Sequence, residues 1–236
     1  MRRATIGAED AALVEDLERR FVTTVDRVEI GRRAIDLMRP RSAEDLISEA
    51  DFERDERLPY WADIWPSAIV LANALAREDG MARPLLELGC GVGLVTIVAM
   101  RAGFDVLATD YYEDALRFTR VNALRSLGDA PRTQHVDWRH FPADLGIFER
   151  VLASDVLYER PYGALVAAAI DATLSPGGIA TIADPGRVGV EDFLARCAER
   201  QLDVRSESVP FESGSIRQTI RLYDVRRRLA TTSEMS

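Results

Sequence analysis

Leu85-Leu86-Glu87-Leu88-Gly89-Cys90-Gly91-Val92-Gly93-Leu94 is the stretch whose reading decides the fold. Three leucines and an acid lead into three glycines separated by single residues, and the apolar run resumes at Leu94. A short buried strand, a turn bare of side chains and the start of a helix fit that order. Glycine in such a turn lets the main chain approach a ligand where a Cβ would collide. A dinucleotide site would carry G-x-G-x-x-G and set a pyrophosphate on the helix N-terminus. Here the spacing is G-x-G-x-G, Leu94 stands where the last glycine would be, and Glu87 would repel a pyrophosphate. The plainer alternative is a glycine turn with no ligand.

Outward from this stretch, strands and helices alternate. Apolar runs at Pro84–Leu88, Asp105–Ala108, Val151–Ala153 and Ile179–Ala183 predict strands, and Ala68–Ala76, 94–102, 112–127 and 161–174 predict helices. Short continuous apolar strands between helices imply a parallel sheet covered on both faces. Ser175-Pro176-Gly177-Gly178 reads as a turn into the next strand. Leu202–Val209 and Ile216–Val225, joined by Pro210–Ser215, read as an antiparallel hairpin. On the N-terminal side, Leu13, Leu17, Phe21 and Val25 predict a helix over 8–25, and Val28 to Leu37 a hairpin broken at Gly31. Ser42 to Asp45 resembles a capping box for a short helix through Ile47. The charged run Glu49–Arg57 marks a boundary. The expected organisation is an extension over 1–57, a main domain over 58–227 and a flexible tail over 228–236.

Composition narrows the chemistry. Thirty-nine acids against thirty bases leave a net charge of −9, which speaks against a general binder of nucleic-acid backbone and suits a cationic substrate. All thirty bases are arginine, so no mechanism here uses a lysine nucleophile or Schiff base. Two cysteines, Cys90 and Cys197, and two histidines, His135 and His140, are too few for a zinc cluster or a disulfide framework, so no metal is expected. That usage points to a reducing cytoplasm. No apolar run reaches membrane-spanning length, and Glu9 and Asp10 follow Met1-Arg2-Arg3 too closely for a signal-peptide core. Asp110 ends the second strand, where a carboxylate can accept both hydroxyls of a ribose or cap the next helix.

The glycine spacing with Glu87 ahead of it resembles the first motif of class I S-adenosylmethionine (SAM) methyltransferases. In that family the loop wraps the amino-acid part of the cofactor, whose ammonium tolerates an acid. Leu58-Pro-Tyr-Trp-Ala-Asp-Ile-Trp-Pro-Ser67, Ser154-Asp-Val-Leu-Tyr-Glu-Arg-Pro161 and Asp184-Pro-Gly-Arg187 resemble the seven-strand lysine methyltransferase branch, often grouped as methyltransferase family 16. That branch includes enzymes acting on the electron-transfer flavoprotein β-subunit. The likeness runs from Pro59 to Tyr223. It implies an α/β Rossmann-like domain with a seven-stranded, mostly parallel sheet, a C-terminal antiparallel hairpin and an N-terminal helix–hairpin extension.

The resemblance implies SAM as cofactor, S-adenosylhomocysteine as product, and Trp65, Glu87, Gly89, Gly91, Gly93, Asp110, Asp137, Trp138 and Ser154 on the cofactor side. It gives Asp155 and Tyr158 catalytic roles toward a nitrogen acceptor: a protein lysine or, failing that, a small-molecule amine. An aromatic face and a carboxylate suit a cationic amine that must shed a proton before attack. Trp61 and Trp65 could instead pack in the core, and Asp155 could be a cap. The alternatives are a small-molecule N- or O-methyltransferase and a SAM-binding protein without turnover. Ser154-Asp-Val-Leu-Tyr158 lacks the proline pair with which amino-group enzymes clamp a flipped base, so nucleic acid is not the expected substrate.

Overall fold

A computed structural model describes residues 8–42, residue 46 and residues 59–228. Its centre is a seven-stranded sheet. Five strands run parallel: β3 (Pro84–Leu88), β4 (Asp105–Asp110), β5 (Arg132–His135), β6 (Phe148–Ser154) and β7 (Leu174–Asp184). The last pair, β8 (Leu202–Ser213) and β9 (Ile216–Arg227), closes one side antiparallel, in the order β5-β4-β3-β6-β7-β9-β8. The chain reverses its direction of travel across the sheet between β3 and β6, which is where open sheets of this kind leave a crevice.

Side-chain alternation along the strands sends two cores to the two faces. Leu85, Val106, Leu152 and Ala183 join α2 (Pro66–Leu75) and α3 (Leu94–Arg101) on one face. Leu86, Leu88, Val151 and Ile182 join α5 (Arg160–Thr173) and α6 (Val190–Glu199) on the other. Between β4 and β5 lies α4 (Glu113–Leu127), which contributes Leu116 and Ala123 to the first core. Leu88 pairs with Thr109 on one side and Ala153 on the other, so the carboxyl ends of β3, β4 and β6 finish nearly level.

The N-terminal part begins with α1 (Ala8–Arg20), which stops short of the predicted end at residue 25. Val25 belongs instead to β1 (Thr23–Ile30), paired antiparallel with β2 (Arg33–Pro40) around Gly31. Two threonines and a valine in four positions favour extended backbone, and pairing with Met38, Arg39 and Pro40 realises it. Val28, Ile30, Ile35 and Leu37 enter the same core as α2 and α3. The capping box at Ser42–Asp45 and the charged run Glu49–Arg57 lie outside the described residues, apart from Ser42 itself.

The hairpin is also fastened by a buried amide. Asn122 accepts the Met38 N–H at 2.8 Å and donates to the carbonyls of Met38 at 2.8 Å and Val92 at 2.9 Å. One side chain on α4 therefore ties β2 to the glycine turn.

The C-terminal half departs further from the sequence reading. Leu174 pairs with Phe148, so Ser175–Gly178 runs inside β7 across a register shift rather than forming a separate turn. Pro210–Phe211 also continues in β8, leaving a turn at Gly214-Ser215. The helix α6 was not anticipated, although Val190, Phe193 and Cys197 carry its buried stripe at helical spacing. The outer strand β8 exposes Arg205, Glu207, Pro210 and Glu212.

Replacing Asn122 by Ala orphans the buried Met38 amide and removes bonds to two carbonyls, and should cost about 2–4 kcal/mol of unfolding free energy. Urea unfolding of the two proteins checks this; a loss under about 0.5 kcal/mol would show that the hairpin is held by packing alone.

Candidate active site

The three level strand ends open into a cleft with about 960 Å³ of empty space, flanked by the glycine turn, by Tyr60–Trp65 and by Trp138. Gly91 and Gly93 both hold left-handed backbone, at φ +54° and +90°. A Cβ on Gly93 would lie 2.9 Å from the Thr119 backbone, and one on Gly91 would lie 3.0 Å from the Trp61 carbonyl oxygen. The turn thus lies beneath the Trp61 segment as well as beside the cleft. Gly89 faces the Val156 and Trp138 side chains. Cys90 is a small buried filler that accepts a bond from the Thr119 hydroxyl, and burial raises its thiol pKa well above the usual range.

Acids dominate the charged part of the lining. Asp110 ends β4 and takes the Gly91 N–H on one oxygen and the Tyr112 N–H on the other, each at 3.0 Å. Burial pushes its carboxyl up to about 6 against the pull of those amides. Glu87 is fully enclosed, accepts the Thr96 hydroxyl, and is pushed by burial up to about 8. Asp137 caps the 3-10 turn Trp138–His140 by accepting the Arg139 N–H at 3.0 Å. Burial acts to raise its pKa, but the Arg139 side chain and backbone outweigh it and hold the carboxyl well below the ordinary range. The lining arginine, Arg139, is committed to Asp137. Such a cleft fits a ligand bearing positive charge and disfavours a pyrophosphate. His135 and His140 are exposed.

Trp138 turns its ring toward Gly89 and sets its edge against Tyr162, with ring centroids 5.7 Å apart. Its buried Nε1 meets no acceptor among the described residues. From there a wall of rings continues through Tyr158, 4.9 Å from Tyr162, to Tyr60 at 5.1 Å and on to Trp65 at 5.9 Å. Burial, helped by Tyr162, raises the Tyr158 pKa far above its usual value, so that hydroxyl stays protonated. The two tryptophans of the segment before the glycine turn part company. Both border the cleft, but Trp61 also packs against Phe118 and Phe21, whereas Trp65 donates its Nε1–H to the Tyr60 carbonyl at 2.9 Å.

At the end of β6, Ser154 borders the cleft and Asp155 adopts left-handed backbone at φ +58°. Its amide donates to the Ala183 carbonyl at 2.9 Å, so β7 fixes the bend. The buried carboxylate accepts the Ser67 hydroxyl at 2.8 Å and Arg187 Nε at 2.7 Å. Neither partner was anticipated. Ser67 reads in the sequence as an ordinary first-turn serine, and Arg187 lies thirty-two positions away.

Comparison with known proteins places this geometry in context. The profile of a lysine methyltransferase family matches residues 50–183, more than half of the chain. Protein-lysine methyltransferase METTL21E of Mus musculus is 35% identical over 116 residues, covering 44% of this chain and 47% of that protein. Histidine protein methyltransferase 1 homolog of Dictyostelium discoideum is 33% identical over 102 residues, covering 40% and 33%. The match therefore spans less than half the length of these relatives. Among solved structures, magnesium protoporphyrin IX methyltransferase from Synechocystis, with bound SAM, shares the fold at a TM-score of 0.56 and 17% identity, covering 77% of this chain and 94% of that one. No helix among the described residues is long and apolar enough to cross a membrane.

Glu87 generates a pH prediction. Its folded pKa, about 8, lies above the ordinary 4.5, so the folded chain holds a proton that the unfolded chain releases between those values. Stability therefore falls as pH rises through that window. Glu87→Gln mimics the protonated form and should show a shallower fall between about pH 5 and pH 8 in urea unfolding. Parallel curves for the two proteins would mean that Glu87 does not carry the proton.

Proposed function

The chain belongs to the lysine methyltransferase family, and from that premise we propose that it moves a methyl group from SAM to the side-chain nitrogen of a protein lysine. The observation that carries the reading is Asp155: a buried carboxylate on strained backbone, facing the same cleft as the glycine turn. Strain of this kind persists where the surrounding structure enforces it, and it collects at functional sites.

SAM, when bound, supplies a methyl group on a positively charged sulfur, open to in-line attack by a nucleophile. The chain's own residues hold and exclude. The glycine turn would receive the amino-acid end, with the Glu87 carboxyl among the groups lining that part of the cleft. Asp110 would accept the ribose hydroxyls, and the Gly91 and Tyr112 amides keep it aimed. Asp137, Trp138 and Ser154 would border the base, and the Trp138 Nε1–H, without an acceptor among the described residues, could donate to it. On the acceptor side, Tyr60, Trp65 and Tyr158 form an apolar wall that keeps water from the amine and tolerates its charge. Tyr158 keeps its proton and serves as a hydrogen-bond donor. Asp155 accepts bonds from Ser67 and Arg187 and would orient the amine, whose proton leaves to solvent before attack. The two free, buried cysteines suit a reducing cytoplasm, where the protein substrate would be met.

Incubation with methyl-labelled SAM and a host lysate, followed by acid hydrolysis, should yield labelled methyl-lysine. Because the chain has no lysine, none of that signal can come from the enzyme itself. Label recovered solely in methyl-histidine or in small molecules would overturn the reading. Asp110→Ala should weaken SAM binding by about 1.5–3 kcal/mol, roughly ten- to a hundredfold in calorimetry. Undiminished affinity would remove Asp110 from the cofactor site.

A further inference from the structure

Arg187 stands beside the acceptor side of the cleft. Its Nε donates to Asp155 Oδ1 at 2.7 Å, and its guanidinium carbon lies 5.3 Å from the centroid of the Trp65 ring. This is the environment a lysine ammonium would seek: a carboxylate on one side and an aromatic face on the other. The two partners of the ion pair differ in access. The Asp155 side chain is 4% exposed, whereas that of Arg187 is 36% exposed.

The mounting of Arg187 matches that asymmetry. Its base is fixed, because Asp184 Oδ1 accepts the N–H groups of Gly186 at 2.7 Å and Arg187 at 2.6 Å. Its tip is held less firmly. Among the described residues Nε is the single guanidinium nitrogen that makes a hydrogen bond, where a two-pronged grip would engage a terminal nitrogen as well. Gly186 beside it has open space on its Cβ side, so the strap is not packed down there. A buried carboxylate stripped of its cation is strongly disfavoured. The Asp155 carboxylate is thus favoured by a positive partner, and the partner at the solvent boundary is the one that can be exchanged.

We propose that Asp155, Ser67 and Trp65 form the cation subsite for the acceptor side chain, and that Arg187 is its resident, displaceable occupant. The inference rests on the lysine reading above and adds how the substrate is admitted. A lysine side chain enters by exchange, its ammonium taking the place of the guanidinium on Asp155. A hydroxyl acceptor cannot make that exchange, since it would leave the carboxylate unpaired. The exchange thus selects amines over alcohols before any chemistry occurs.

The probe is n-butylammonium, the lysine side chain without its backbone, titrated into the protein in the absence of SAM. Calorimetry and tryptophan fluorescence should show R187A binding it at least about tenfold more tightly than wild type. R187Q, which keeps most of the bulk without the charge, should also bind more tightly than wild type. Adding D155N to R187A should abolish the gain, and n-butanol should show no such preference. Equal affinity of wild type, R187A and R187Q for n-butylammonium would overturn the proposal, and so would a gain that survives D155N. In a second arm, R187K introduces an amine at this position in a chain with no lysine of its own. Incubated alone with SAM, it should gain methyl mass at residue 187, visible by peptide mass spectrometry. R187K left unmodified while wild type forms methyl-lysine in lysate would sink the exchange and leave the reading standing. Tighter n-butylammonium binding by R187A, with no methyl-lysine formed by wild type, would keep the subsite and sink the reading.

Discussion

The carbonyl of Thr109 accepts two amides at once, those of Gly89 and Cys90, each at 2.9 Å. The next residue, Asp110, accepts the Gly91 amide on its side chain. Three successive N–H groups of the glycine turn are thereby spent on the end of one neighbouring strand. A turn with so little side chain would otherwise be the loosest part of the molecule, since glycine carries the largest backbone freedom. Here its path is set by β4, and β4 is set by its register with β3. The cleft inherits its shape from that pairing.

On the other side of β3, the same economy governs β6. Its end is bent at Asp155 by a bond to β7, and the bend delivers a carboxylate into the cleft rather than into solvent. Ser67 reaches that carboxylate from the first turn of α2. The segment Tyr60–Trp65 is therefore held at two points: Trp61 packs against Phe118 and Phe21, and Ser67, two residues past Trp65, is bonded to Asp155. An aromatic wall anchored in this way has little freedom to collapse into the space it borders.

The sequence was informative where neighbours in the chain act together. Pro84–Leu88 appears with the bounds its apolar run predicts, because a buried strand leaves a continuous apolar trace. The glycine spacing located the turn, and the acid at the end of the second strand located Asp110. The level strand ends follow from the parallel order. Other features had no such trace. Asp155 and Arg187 meet only because β6 and β7 lie side by side, and an arginine after a turn looks the same whether or not it has a partner. The difference between Trp61 and Trp65 depends on which ring faces α4, which no spacing rule reports. At Thr23-Thr24-Val25, helical periodicity continued by coincidence past the point where β-branched residues paired with β2. Near Ser175–Gly178, turn-forming residues were overruled by the pairing of Leu174 with Phe148. In both places a tertiary contact outweighed the local preference.

The two borders of the sheet bear on how copies of the chain meet. At one border β5 offers four residues, too few to template a long neighbour. At the other, β8 is twelve residues long, but it exposes Arg205, Glu207 and Glu212, and the proline at 210 has no N–H to give. Charged side chains and a proline on an edge strand hinder the addition of another strand. Among the described residues, neither border of the seven-stranded sheet is thus an open, uncharged edge. Among the described residues, a seven-stranded sheet bordered this way resists growing into ribbons by the addition of further strands.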